Sequence, residues 1–201
     1  LWIPLYARRE SVRLPGRSPG CVVRSIDSLK EQPPPNSVVL SFDEKGKTPI
    51  KQYGGWKWTT EEYYRIPYAQ KVKGLFDLFA VKDIHTGRRH HRFYTWKNSF
   101  IVIDFVNWLL YTIYPENNLY LILDGWSAHK SKAFLAYADL QPRLHLIPLP
   151  TCSSWMNDIE RDFSRIQRDV LDNSCFSCPK EAMDIISAYI EKELNSSWKR
   201  I

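Results

Sequence analysis

Hydrophobic positions change their period several times along the chain, and the changes divide it into elements. Val38, Val39, Leu40 and Phe42 form a short apolar run ending at Asp43, and Leu119 to Leu123 form a second ending at Asp124. Runs this short, rich in β-branched and aromatic residues, predict buried strands rather than helices. Leu75 to Val81 and Arg89 to Thr95 predict two more strands, joined at Thr86-Gly87-Arg88, whose residues suit a hairpin turn. Arg143 to Pro148 predicts a last one. Asn98 to Tyr114 reads as a strongly apolar helix and Lys130 to Ala138 as a second. From Trp155 onward Met156, Ile159, Phe163, Ile166 and Val170 recur at steps of three and four, a helix with one buried stripe. Val22 to Lys30 predicts a short helix, stopped by Pro33-Pro34-Pro35. An antiparallel start followed by strand, helix, strand, helix gives an α/β chain: a mixed central sheet with helices packed on its faces.

Three acidic residues occupy telling places in that pattern. Asp43 and Asp124 each close a predicted strand, where a sheet of this kind opens to ligand. Glu160 is four residues after Met156 and three before Phe163, at the margin of the helical stripe, so its carboxylate can face inward. Carboxylates gathered this way suit hard cations that prefer oxygen ligands, and two-metal phosphodiester chemistry is the leading reading. Each position also has an ordinary use. An aspartate after a strand serves turns, and Asn157-x-x-Glu160 has the form of a helix capping box. Asp158 and Asp162, flanking Glu160, are turned away from it by helical geometry.

The wording around the acids narrows the choice. SFDEKGKTPIKQYGGW around Asp43, LDGWSAHKSK around Asp124 and LPTCSSWMNDIERDFSRIQRDVL around Glu160 resemble the three catalytic blocks of the bacterial insertion-sequence transposases related to mariner elements. Order and spacing agree, with 35 residues between Asp124 and Glu160. The resemblance runs from about Ser37 to Arg200. Gly125, where the family commonly has Asn, and the stretch Cys152-Ser153 depart from the pattern, and neither touches the acids. The resemblance implies an RNase H-like fold and an Asp-Asp-Glu triad of Asp43, Asp124 and Glu160, which cuts and joins DNA with two Mg²⁺ or Mn²⁺ ions. His129, in the same block as Asp124, resembles a family position too. It reads either as an auxiliary group beside the metals or as a cap of the helix beginning near Lys130. Glu44 reads first as a solvated turn residue, with a further outer-shell carboxylate as its other use. A nuclease of the same fold that cuts without joining, and a non-catalytic DNA-binding relative, are the alternative functions; the three carboxylates argue against the second.

Composition fits a nucleic-acid partner without requiring one. Lys plus Arg number 28 against 22 acids, a net charge of +6 with a pI near 9.1, which favours an anionic partner such as DNA. Lysines and aromatic rings alternate from Lys47 to Lys73, so Lys51, Trp56, Lys57 and Trp58 are candidates for gripping a DNA end, with packing onto the sheet as the competing use. Arg92, on a basic strand face with His90, and Lys130 are further DNA candidates, while His90 and His91 read as surface residues. Residues 1–21, with Arg8, Arg9, Arg13 and Arg17, read as a basic linker or the remnant of a preceding domain, and 22–201 as the catalytic domain. A helix-turn-helix for end recognition is expected upstream, and a homodimer or larger assembly on DNA is the expected working form. The longest apolar stretch, Phe100 to Tyr114, is too short to span a bilayer and no signal peptide is visible, so an intracellular, cytoplasmic or nucleoid-associated place is expected. Cys175-Phe-Ser-Cys178 has the spacing of half a zinc site but no second pair follows, and free thiols are expected.

Overall fold

A computed structural model of the protein describes residues 19–55, 66–124, 129, 131–150 and 156–196. Helix α1 (Pro19–Glu31) leads into β1 (Ser37–Pro49), followed by β2 (Leu75–Asp83), β3 (Arg89–Tyr94), α2 (Ser99–Trp108), β4 (Asn118–Leu123), α3 (Lys132–Leu140), β5 (Leu144–Pro148), α4 (Ile159–Ile166) and α5 (Pro179–Tyr189). Helices α2, α4 and α5 each run on through a π turn of five residues.

The five strands form one sheet in the order β3-β2-β1-β4-β5. β1 sits at its centre, antiparallel to β2 and parallel to β4. Both flanks follow from chain length. The β2–β3 hairpin needs only the short Ile84 to Arg88 turn, whereas the parallel pairs β1/β4 and β4/β5 are bridged by helices. Alternation along β1 then sorts side chains to two layers. Leu40 and Phe42 face α2 and α3 in a cluster with Phe79, Phe105, Val106, Leu121 and Phe134. Val39 faces the other way, packing with Ile26 of α1, Ile122 and Ile147. On that second side Phe76, Leu78 and Ala80 of β2 meet Ile159, Phe163 and Ile166 of α4 and Ala182 and Ile186 of α5. Helices therefore cover both faces, as the sequence pattern predicts. Deleting the fully buried Phe42 ring, stacked on Phe105 at 5.3 Å, would cost about 3–5 kcal/mol.

Two expectations need correction. Asp43 does not close its strand: β1 continues to Pro49, because Glu44 and Lys45 go on pairing with Phe79 and Leu78 of β2. What ends there is the parallel ladder to β4, whose last pair is Ser41 with Ile122. A bulge between Lys45 and Thr48 then re-aims the strand; Lys47 takes a φ of 39° and its amide donates to Asp77 Oδ1 at 2.6 Å. His90 and His91 are not surface residues either. His90 packs edge-on against Trp108 and Tyr114, and His91 Nε2 lies 2.9 Å from Ser187 Oγ. Burial lowers both pKa values, that of His90 to about 4.

Candidate active site

The parallel register determines where the two aspartates meet. Ser41 pairs with Ile122, so one pleat further along, where β4 has ended, Asp43 comes level with Asp124. Asp43 belongs to the face of β1 that carries Val39 and Ser41, the face covered by α4. Its carboxylate accepts the Glu44 amide at 2.8 Å. Even so its pKa is raised to about 7, first by desolvation and then by the negative charges of Glu44, Asp124 and Glu160. Carboxylates from β1, from the end of β4 and from α4 thus act on one another across distances that matter electrostatically.

Glu160 owes its position to a latch between α4 and β1. Asn157, buried, donates from Nδ2 to the Phe42 carbonyl at 3.0 Å, and its Oδ1 accepts the Ser41 hydroxyl. Ser41 Oγ in turn accepts the Ile159 amide at 3.2 Å. Asn157 therefore does not cap the helix in the manner of a capping box. The N-cap residue is Asp158, and it makes no side-chain capping bond. The latch is hidden from sequence pattern because Ser41 and Asn157 are 116 positions apart; Ser41 interrupts the apolar run of β1, but nothing local pairs it with Asn157.

On the opposite face of β1 a second polar chain begins at Glu44. Its side chain is 1% exposed; Oε1 lies 2.7 Å from His129 Nε2 and Oε2 lies 3.3 Å from Lys97 Nζ. His129 reaches on through Nδ1 to Asp124 Oδ1 at 3.0 Å. Burial pulls the His129 pKa down, but hydrogen bonds to Asp124 and Glu44 and their charges prevail and hold it at about 9. A protonated imidazole donates from both nitrogens, which matches two carboxylate acceptors. The expectation that Glu44 is a solvated turn residue is corrected: strand continuation buries it. Lys97, absent from the sequence candidates, joins the same chain. Its signal was weak, a lone lysine before a helix cap.

The remaining candidates scatter. Asp162 is buried, and Arg89 grips it with Nε to Oδ2 at 2.8 Å and Nη2 to Oδ1 at 3.1 Å, away from the three acids. Asp158 pairs with Lys30 at 3.4 Å. Arg92 lies over the Trp108 ring at 4.4 Å and pairs with Asp104 at 3.4 Å. Lys51 stands 5.7 Å from the Tyr53 ring. Trp56, Lys57, Trp58 and Lys130 lie outside the described residues. Cys175 and Cys178 are exposed free thiols. Among the described residues no three His, Cys, Asp or Glu side chains stand at the mutual spacing of metal ligands. A cavity of about 570 Å³ beside α5, lined by Asp169, Glu181 and Tyr189 among others, contains none of the three acids. No described helix is long and apolar enough to cross a membrane.

The sequence pattern of the DDE superfamily endonucleases matches residues 38–182, well over half of the chain. The chain belongs to the DDE superfamily endonucleases. No curated protein matches it. Among solved structures, this DDE endonuclease chain superposes on the Mos1 mariner paired-end complex with Mn at a TM-score of 0.65 and 11% identity, covering 99% of this chain and 62% of that one. The Mos1 strand transfer complex gives 0.65 and 10%, over 100% and 64%. The catalytic domain of Mos1 mariner transposase gives 0.62 and 10%, over 98% and 90%. The chain spans less than two thirds of the length of the first two. At these identities the likeness establishes the fold, the RNase H-like one of transposase catalytic domains.

Proposed function

We propose that the chain is the catalytic domain of a DNA transposase, in which Asp43, Asp124 and Glu160 hold two Mg²⁺ or Mn²⁺ ions. The observation that carries the reading is the parallel register, with Ser41 opposite Ile122, which ends two residues short of both Asp43 and Asp124; burial first, and the charges of Glu44, Asp124 and Glu160 after it, raise the Asp43 pKa, a cost that bound cations would relieve. Chemically the donor set fits such ions. When bound, they would lower the pKa of an attacking water or DNA 3′-hydroxyl and stabilise the leaving oxygen at phosphorus. The chain's own part is positional. The parallel ladder runs to the pair two residues before Asp43 and Asp124, and the Asn157 latch ties the start of α4, which carries Glu160, to β1 at Phe42. His129 and Glu44 fix the Asp124 carboxylate from behind, as carboxylate–histidine pairs orient metal ligands elsewhere. The Mos1 strand transfer complex favours joining as well as cutting, with DNA as partner and several copies of the chain acting together.

Incubating the protein with terminal-repeat duplexes from flanks of its own coding region and Mg²⁺ or Mn²⁺ tests the reading. Nicked ends and, with target DNA, joined products are expected, both lost with chelator and in Asp124→Asn while DNA binding persists. Cleavage without any joined product would replace the transposase by a simple nuclease. Cleavage undiminished by chelator would remove the metal role altogether.

A further inference from the structure

Two large aromatic side chains stand in solvent next to the chain of polar groups that supports the acids. Trp96 is 75% and Phe100 is 70% exposed, although residues of this size normally contribute to a core or an interface. They flank Lys97 and the cap of α2, where Asn98 Oδ1 accepts the Ile101 amide at 3.0 Å. Lys97 ties this turn to the site. Its Nζ lies 3.3 Å from Glu44 Oε2, and Glu44 leads through His129 to Asp124. Its arm also crosses β1 just beyond the acids, since a Cβ on Gly46 would stand 3.6 Å from both Cδ and Nζ of Lys97.

Building on the transposase reading above, we propose that Trp96 and Phe100 form a stacking platform for an unpaired nucleobase of the DNA end, a short step along the strand from the acids. Flat rings exposed beside basic side chains match a base with its phosphate. Lys97 brings positive charge beside the rings, and Lys47 stands on the bulged stretch of β1 that the Lys97 arm crosses. A protein partner would call for a wider apolar surface, whereas this patch is two rings in a polar, basic setting.

The test uses the 201-residue chain without divalent metal, so that it reads binding and not cleavage. Its probes are a blunt duplex and the same duplex with a short 3′ single-stranded tail carrying 2-aminopurine at successive positions. Stacking predicts quenched 2-aminopurine emission at one or two tail positions, and preference for tailed over blunt DNA by about fivefold or more. Trp96→Ala and Phe100→Ala should abolish the quenching and the preference while leaving blunt-duplex affinity within about twofold; Trp96→Phe should restore most of both. Equal loss on blunt and tailed DNA, quenching untouched in both alanine variants, or a shift in sedimentation of Trp96→Ala with tail preference intact would each overturn the proposal. Failure of metal-dependent cleavage would overturn the transposase reading instead, and would be visible separately.

Discussion

The side-chain amide of Asn157 donates to the main-chain carbonyl of Phe42 at 3.0 Å, joining the start of α4 to the centre of the sheet one residue before Asp43. With the Ser41 hydroxyl also on Asn157 Oδ1, this buried contact sets the distance between the carboxylate on β1 and the one on α4. Helix α4 packs otherwise through apolar contacts, which have no direction, and through the Arg89–Asp162 pair further along it.

Replacing Asn157 by Leu leaves the Phe42 carbonyl and Ser41 hydroxyl short of a partner in the core, at a cost of about 1–3 kcal/mol. Urea unfolding should show that loss. Cleavage should fall further than stability does, because the two acids lose their common reference; a variant that is destabilised but cuts at the wild-type rate when folded would show that the latch does not align the site.

Glu160→Gln separates metal binding from helix stability. With no capping bond from Asn157 or Asp158 in place, neutralising Glu160 should change the thermal midpoint little, within about 1 kcal/mol. Strand cleavage should disappear. Normal cleavage in this variant would strike Glu160 from the proposed triad.

Asp43 should destabilise the metal-free protein at neutral pH. Its folded pKa of about 7 lies above the ordinary aspartate value of 3.8, so the folded state keeps its proton longer than the unfolded one. Stability tied to this group is complete below about pH 4 and is lost as pH rises through 7. The shift sets a ceiling of about 4 kcal/mol, lowered by solvent at a partly open site. Asp43→Asn should therefore match wild type near pH 4 and exceed it by roughly 1–3 kcal/mol at pH 8 in chelator. Denaturant melts across that range would expose the idea as wrong if the gap failed to widen with pH.

Asp162 predicts the opposite behaviour from its neighbour Asp158. The buried Arg89 also donates from Nη1 to the Gly87 and Leu194 carbonyls at 2.6 and 2.5 Å, so Asp162→Ala strands an enclosed guanidinium and should cost about 3–5 kcal/mol. Asp158, paired only near the surface, should cost no more than about 1 kcal/mol. Equal losses in the two variants, measured by urea unfolding, would mean the Arg89 pair is not the anchor it looks to be.

The sheet and its helices were legible because their signals are local. Val38 to Phe42 and Leu119 to Leu123 carry their strand character in a few consecutive side chains, and the stripe through Ile159, Phe163 and Ile166 carries its helix in a fixed spacing. What escaped depends on partners far away in sequence. Glu44 looks like a turn residue until β2 extends β1 beyond it and His129 closes over it. Lys97 gains meaning only from Glu44, and Asn157 changes from a cap to a latch because Ser41 is waiting on the strand beneath. Asp162 follows the helical angle correctly, yet its burial rests on Arg89, at the start of a strand whose periodicity does not announce a buried cation.

The central place of β1 has a consequence for the life of the chain on the ribosome. Its antiparallel pairing with β2 can form as soon as the first half is made, but Asp43 and Asp124 become neighbours only after α2 has crossed over and β4 has docked. Glu160 lies later still, beyond β5. On the transposase reading proposed above, a nascent or truncated chain carries at most part of the acid set, so metal-dependent cutting would arrive only once β4 and α4 are both in place.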